Sequence, residues 1–307
     1  MRDTFIRKLS ELAETDDRIM LITGDLGFGV LDDFARRFPR QYLNAGVAEQ
    51  NMTGLAAGMA LDGRIVFTYS IANFPTLRCL EQIRNDAAYH DADVKIVAIG
   101  GGFSYGPLGM SHHATEDLAI LRAIPNVTVI SPGCLWEVER VTEFLPAQRG
   151  TCYLRLDKSD AGRTRLPGEE FHFGRIRTLT QGDDGAILAT GGILGVALRA
   201  AEMLGREGYG IRVMSVHSLN PFDSRATLEV CGAVRAVMTL EEHIVGGGLG
   251  GLVAETCMDA GILPRKFHRM GLRPGFSGPV GSQEYLRERA GLDERAVAGR
   301  MRELLTR

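Results

Sequence analysis

The chain has 307 residues, 45% of them hydrophobic and 24% charged, and its 35 basic and 38 acidic side chains leave a net charge of −3. That balance excludes the strongly basic footprint of a nucleic-acid binder and the composition of an acidic, disordered chain. The length predicts two domains. Its 38 glycines, without a repeat period, predict many tight strand-to-helix turns.

Cys79, Cys134, Cys152, Cys231 and Cys257 are scattered, with no CxxC pair, so neither a disulfide framework nor a zinc site is expected. The start MRDTFIRKLSELAETDDR is charged throughout, and no long apolar run occurs. Neither a signal peptide nor a membrane span is predicted. The expectation is a cytoplasmic, reduced, globular protein.

In chain order, helical spacing over 3–14 precedes a buried strand at 19–23. A helix at 49–61, a strand at 65–68, a helix at 77–90 and a strand at 94–99 follow. Helix 116–123, strand 127–130, helix 135–145 and strand 153–156 continue the alternation. Thr115 before Glu116 and Asp117 reads as a helix N-cap. Residues 157–185 are polar and Gly-rich, with one short possible strand at 175–179. Alternation then resumes with strand 186–190, helix 194–207, strand 211–215, helix 225–234 and strand 236–240, and helices 252–260 and 294–305 close the chain. Such alternation predicts an α/β fold with two doubly wound domains built on mostly parallel sheets. The expected boundaries are a first domain at 1–160, a linker at 161–184 and a smaller domain at 185–307.

Four segments are candidates for chemistry. GGGLGG at 246–251 formally satisfies GxGxxG, but it comes late and lacks the downstream acid of a dinucleotide fingerprint. A tight turn opening a helix is the stronger reading. Glu49 begins a helix otherwise made of apolar and small residues, GVAEQNMTGLAAGMA. A carboxylate there suits a group that shares a proton near neutral pH, and a solvated glutamate favoured by the helix dipole is the equal alternative. The loop GGFSYGPLGMSHHATED carries His112 and His113 at the carboxyl edge of a strand, where open α/β sheets bind ligands. One imidazole capping the following helix is the plainer explanation. Phe67, Tyr69 and Phe74 cluster in FTYSIANFPTLR, and core packing is the commoner role for aromatics so spaced.

Taken together, GDLG, NAGVAEQNMTGLAAGMA, YSIANFPTLRCLEQIRND, SYGPLGMSHHATEDLAILRAIPNVTVISP, SVHSLNPFD and EEHIVGGGLGGLVAE resemble the pyrimidine-binding and C-terminal domains of the transketolase family. The resemblance covers nearly the whole chain. It implies a thiamine-diphosphate-dependent transfer of a two-carbon ketol unit from a ketose to an aldehyde, with the cofactor as electron sink. Glu49 matches the glutamate that hydrogen-bonds N1′ of the cofactor, and Phe74 the aromatic that stacks on its aminopyrimidine, with Phe67 and Tyr69 behind. Asp25 matches an acid near the thiazolium, and His112 the histidine on the donor's hydroxyls. Arg78 and Arg155, and more weakly Arg2, match positions that hold a substrate's terminal anion, a phosphate or sulfonate.

The departures are informative. The family's GDG motif with its downstream Asn, which holds Mg²⁺ and the diphosphate, does not occur here. The resemblance therefore implies the second half of a split transketolase, completed by an N-terminal subunit carrying GDG, in an α2β2 heterotetramer in which this chain self-associates. Gly100 stands where family members acting on sugar phosphates have a histidine, and Leu108 stands where an aspartate contacts the acceptor. The β subunit of a 2-oxo acid dehydrogenase E1 component and a non-catalytic assembly subunit are the alternatives.

Overall fold

A computed structural model describes residues 1–306 of the chain. The elements run α1 (Arg2–Ala13), β1 (Ile19–Thr23), α2 (Asp32–Arg37), β2 (Tyr42–Asn44), α3 (Glu49–Leu61), β3 (Ile65–Ile71), α4 (Leu80–Gln82), β4 (Val94–Ile99), α5 (Asp117–Ala123), β5 (Val127–Ile130), α6 (Leu135–Phe144) and β6 (Thr151–Leu156). After them come β7 (Arg177–Thr180), β8 (Gly185–Thr190), α7 (Leu194–Arg206), β9 (Ile211–Ser215), β10 (Ser218–Asn220), α8 (Ser224–Ala233), β11 (Ala236–Ile244), α9 (Leu249–Ala260), β12 (Phe267–Leu272), α10 (Gln283–Arg289) and α11 (Glu294–Thr306). The fold is α/β, with two mostly parallel sheets, as the alternation predicts.

The first sheet has the order β10-β5-β6-β4-β3-β1-β2, parallel except at β10. The second has the order β12-β11-β8-β9-β7, parallel except at β7. β7 lies inside the stretch read as linker and is an edge strand of the second sheet. The central strands β4 and β6 are buried along their whole length because helices cover both faces. Along β3 the pleat divides the core. Val66 joins Met52, Ala56 and Ile96 on one face, whereas Phe67 and Tyr69 join Phe5, Leu9 and Val138 on the other.

The helix expected over 77–90 is instead a 3₁₀ turn at Leu77–Cys79, the short α4, and a π-helical turn at Ile83–Ala88. Strand β11 runs four residues beyond the expected end, carrying Glu241, Glu242 and His243 into the contact with the first unit. There Ile244 N donates to Thr115 O (2.9 Å) and Gly192 N to Asp157 Oδ2 (2.6 Å). Glu242 accepts from Phe103 N and Gln283 Nε2 and pairs with Arg287. β10 hydrogen-bonds β5, so chain from the C-terminal half completes the first sheet.

Candidate active site

Residues that follow β1, β2, β3 and β4 meet at the carboxyl edge of the first sheet. This is the edge at which open α/β sheets bind ligands. Glu49, first residue of α3, is only 2% exposed. Its carboxylate lies flat against the end of β1 because Gly24 has no side chain; a Cβ there would sit 3.2 Å from Glu49 Cγ. The next residue, Asp25, adopts the left-handed conformation (φ 55°) and is exposed. Asn44 at the end of β2 holds it: Asp25 N donates to Asn44 Oδ1 (3.0 Å) and Asn44 Nδ2 donates to Asp25 Oδ1 (2.9 Å).

Arg78 Nη1 donates to Glu49 Oε2 at 2.6 Å, and Ser70 Oγ lies 3.4 Å from Oε1. The same guanidinium sits 4.6 Å over the Phe74 ring. The His112 ring meets Phe74 edge-on, centroid to centroid 5.2 Å at 73°. Thus Glu49, Arg78, Phe74 and His112 form one continuous cluster. Asn73 ties its two loops together, donating from Nδ2 to His113 O (2.7 Å) and Ser111 O (3.3 Å). Partial burial, reinforced by the adjacent His113, pulls the His112 imidazole below its ordinary range, which favours its neutral form. Its Nδ1 meets Ser111 Oγ at 3.0 Å.

Other candidates are corrected. Phe67 and Tyr69 are not part of this cluster; they face the opposite side of the sheet from Val66, where Phe5 packs on both rings at 6.2 and 6.5 Å. The alternation of β3 places them there. Arg155 cannot reach a solute, because its side chain has no exposure. It pairs with Asp117 (3.2 Å) and Asp157 (3.8 Å) and donates to the carbonyls of Ala114 and Glu242. Neither His112 nor His113 caps α5. His113 Nε2 faces Gly106 O at 3.2 Å, and the α5 amide of Ala119 is met by His243 of the second unit (3.3 Å). Thr115 is not the cap either; Glu116 holds that position without a side-chain bond.

GGGLGG opens α9, as the plainer reading has it. The Glu241 carboxylate accepts from Leu249 N and Gly250 N, both at 2.8 Å, filling the place of a bound anion. Gly100 also gains a reason: it has φ +97°, and a Cβ would lie 2.2 Å from the Tyr105 ring, which fills the space a larger residue would need.

Sequence reasoning missed Asn73, Asn44, Ser70 and Lys158. Lys158 Nζ lies 4.1 Å over the Tyr105 ring, and with Arg2, Asp3, Met1, Ile99 and Asp157 it lines a recess of about 350 Å³. Tyr105 borders the same recess and lies 6.4 Å from His112, ring to ring. Among the described residues no group of three His, Cys, Asp or Glu side chains is arranged to hold a metal, and no helix is long and apolar enough to cross a membrane.

The model of the transketolase pyrimidine-binding domain matches residues 1–163, and that of the transketolase C-terminal domain matches residues 174–297. The chain belongs to the transketolase family. It is 36% identical to a 6-deoxy-6-sulfo-D-fructose transketolase subunit of Clostridium sp. (strain MSTE9), covering 100% of this chain and 95% of that one. It is 35% identical to an apulose-4-phosphate transketolase subunit of Phocaeicola vulgatus, over 83% of this chain and 82% of the other. Among solved structures, a split-gene transketolase described as an inactive beta4 tetramer superposes with a TM-score of 0.90 at 34% identity, covering 99% and 98% of the two chains. This transketolase-family chain therefore carries the pyrimidine-binding and C-terminal domains in one polypeptide.

Proposed function

We propose that the chain is one subunit of a split, thiamine-diphosphate-dependent transketolase that moves a two-carbon ketol unit from an anion-bearing ketose to an aldehyde. A separate subunit with the GDG motif would hold the diphosphate and Mg²⁺, in an α2β2 assembly. The observation that carries this reading is the Glu49–Phe74–His112 cluster. A buried carboxylate offers Oε1 with no partner closer than 3.4 Å, beside a half-buried aromatic ring and an imidazole. These residues fit an aminopyrimidine, which needs an acceptor for a ring nitrogen and a flat apolar surface.

When bound, the cofactor supplies an electron sink for the two-carbon fragment. Glu49 would hold the proton shared with the ring nitrogen, and Phe74 would orient the ring by stacking. Asp25, fixed by Asn44, sets a negative charge at the mouth of the site, suited to the thiazolium cation. His112, in the tautomer whose Nδ1–H donates to Ser111 Oγ, can accept a hydroxyl proton of the ketose at Nε2. Arg2 and Lys158 take over the anion-holding role once expected of Arg155, since both border the open recess beside Tyr105. The relatives' substrates, a sulfosugar and a sugar phosphate, support an anionic end group.

Reconstitution tests this. Thiamine diphosphate binding and ketol transfer are measured for the chain alone and with a GDG-bearing subunit and Mg²⁺. Negligible binding alone, with both binding and transfer after mixing, is expected. Full activity of the isolated chain overturns the split-site reading.

A further inference from the structure

Glu49 poses an energetic problem in the chain by itself. A carboxylate with 2% exposure is costly unless a donor satisfies it, and Ser70 at 3.4 Å is too distant to do so. Arg78 solves the problem, and the manner is specific. Its guanidinium is planar, cationic and rich in N–H donors. It donates to Glu49 Oε2 at 2.6 Å while lying 4.6 Å over the face of Phe74. A flat nitrogen group bonded to Glu49 and stacked on Phe74 is also what the proposed function requires of the cofactor's aminopyrimidine. The Arg78 side chain is 44% exposed and rises from the three-residue turn Leu77–Cys79, so it can leave without disturbing the core.

We propose that Arg78 is an internal stand-in for the aminopyrimidine: its guanidinium occupies the seat on Glu49 and Phe74 until the cofactor ring displaces it. The inference rests on the cofactor reading above. It reassigns Arg78 from anion binding to guarding the seat. The buried carboxylate would have a hydrogen-bonding partner in both states, the guanidinium before and the ring nitrogen after, with the displaced guanidinium turned outward toward solvent.

The stand-in has a signature opposite in sign to that of a residue that merely positions Glu49. Binding of 4-amino-2-methylpyrimidine to the full-length chain is followed by ligand-observed NMR. Removing a competitor worth one half-exposed ion pair raises fragment affinity by roughly three- to tenfold, so Arg78→Ala is expected to bind that much more tightly than the unmodified chain. Arg78→Gln, which keeps most of the volume, is expected to show the same direction, and circular dichroism checks that both variants fold. Adding Glu49→Ala to Arg78→Ala is expected to abolish the gain. Equal or weaker fragment binding by both Arg78 variants overturns the stand-in. If the reconstituted enzyme still requires thiamine diphosphate in that case, only the stand-in falls. If neither the variants nor the unmodified protein responds to thiamine diphosphate with its partner, the cofactor reading falls with it.

Discussion

Replacing Arg155 by leucine separates a structural role from a substrate-binding one. The guanidinium is wholly buried between Asp117 and Asp157 and donates to two carbonyls, one from each unit, at 3.2 and 3.0 Å. Burial works against its charge, but Asp117 and then Asp157 outweigh it and keep the group protonated. Leucine fills much of the volume yet leaves Asp117 and Asp157 without their shared cation and takes one donor from each of the Ala114 and Glu242 carbonyls. Removing one partner of a buried pair costs about 3–5 kcal/mol. At about 1.5 °C per kcal/mol for 307 residues unfolding together, the melting temperature should fall by roughly 5–8 °C. Differential scanning calorimetry measures this, and substrate KM of the reconstituted enzyme is read below the variant's melting point. A variant that melts within 2 °C of the unmodified protein but has a much higher KM would refute the argument and restore Arg155 as an anion-binding residue.

Glu49→Ala should lower turnover of the reconstituted enzyme by roughly 10²–10⁴, the range of acid–base contributions; steady-state rates with saturating cofactor decide it. Because His112 is held below the usual imidazole range, the acid limb of kcat/KM that it contributes should lie below pH 6.5 and vanish in His112→Asn. Burial raises the Glu241 carboxyl to about 7 against the amides that lower it. The folded state therefore holds that proton more tightly than the unfolded state, and Glu241's contribution to stability falls as pH rises from about 4.5 to 7, then is flat. Urea titrations of Glu241→Gln should lack this slope, amounting to about 3 kcal/mol across the interval. Gly100→Ala should cost about 1–3 kcal/mol by driving a Cβ into Tyr105. Tyr105→Ala in the same chain should recover part of that loss, as a double-mutant cycle in urea would record.

Composition made the central strands legible, since β1 and β4 are short runs rich in Ile and Val and almost wholly buried. The edges were less so. β10 is Ser-Leu-Asn before Pro221, too short to show a period, and β12 mixes His and Arg with apolar residues without alternating. Glu49 stood out because a lone carboxylate began a small-residue helix, and the fold buries it. Phe67 and Tyr69 could not be told from Phe74 by type, because only the pleat decides that they face away. Arg155 looked available because a strand-borne arginine shows no sign of its partners. Asp117 lies 38 positions earlier in the chain, and Glu242 belongs to the other unit.

The three residues of β10 have a consequence beyond the sheet they complete. Because they pair with β5, a protease nick anywhere in the polar stretch between the units would leave two fragments still clasped together. Expressing the first unit alone would strip the cover from Val127–Ile130, an apolar strand edge open to pairing with its own copies. The molecule is one covalent chain, and β10 buckles its two halves together a second time. It should melt in one step rather than unit by unit.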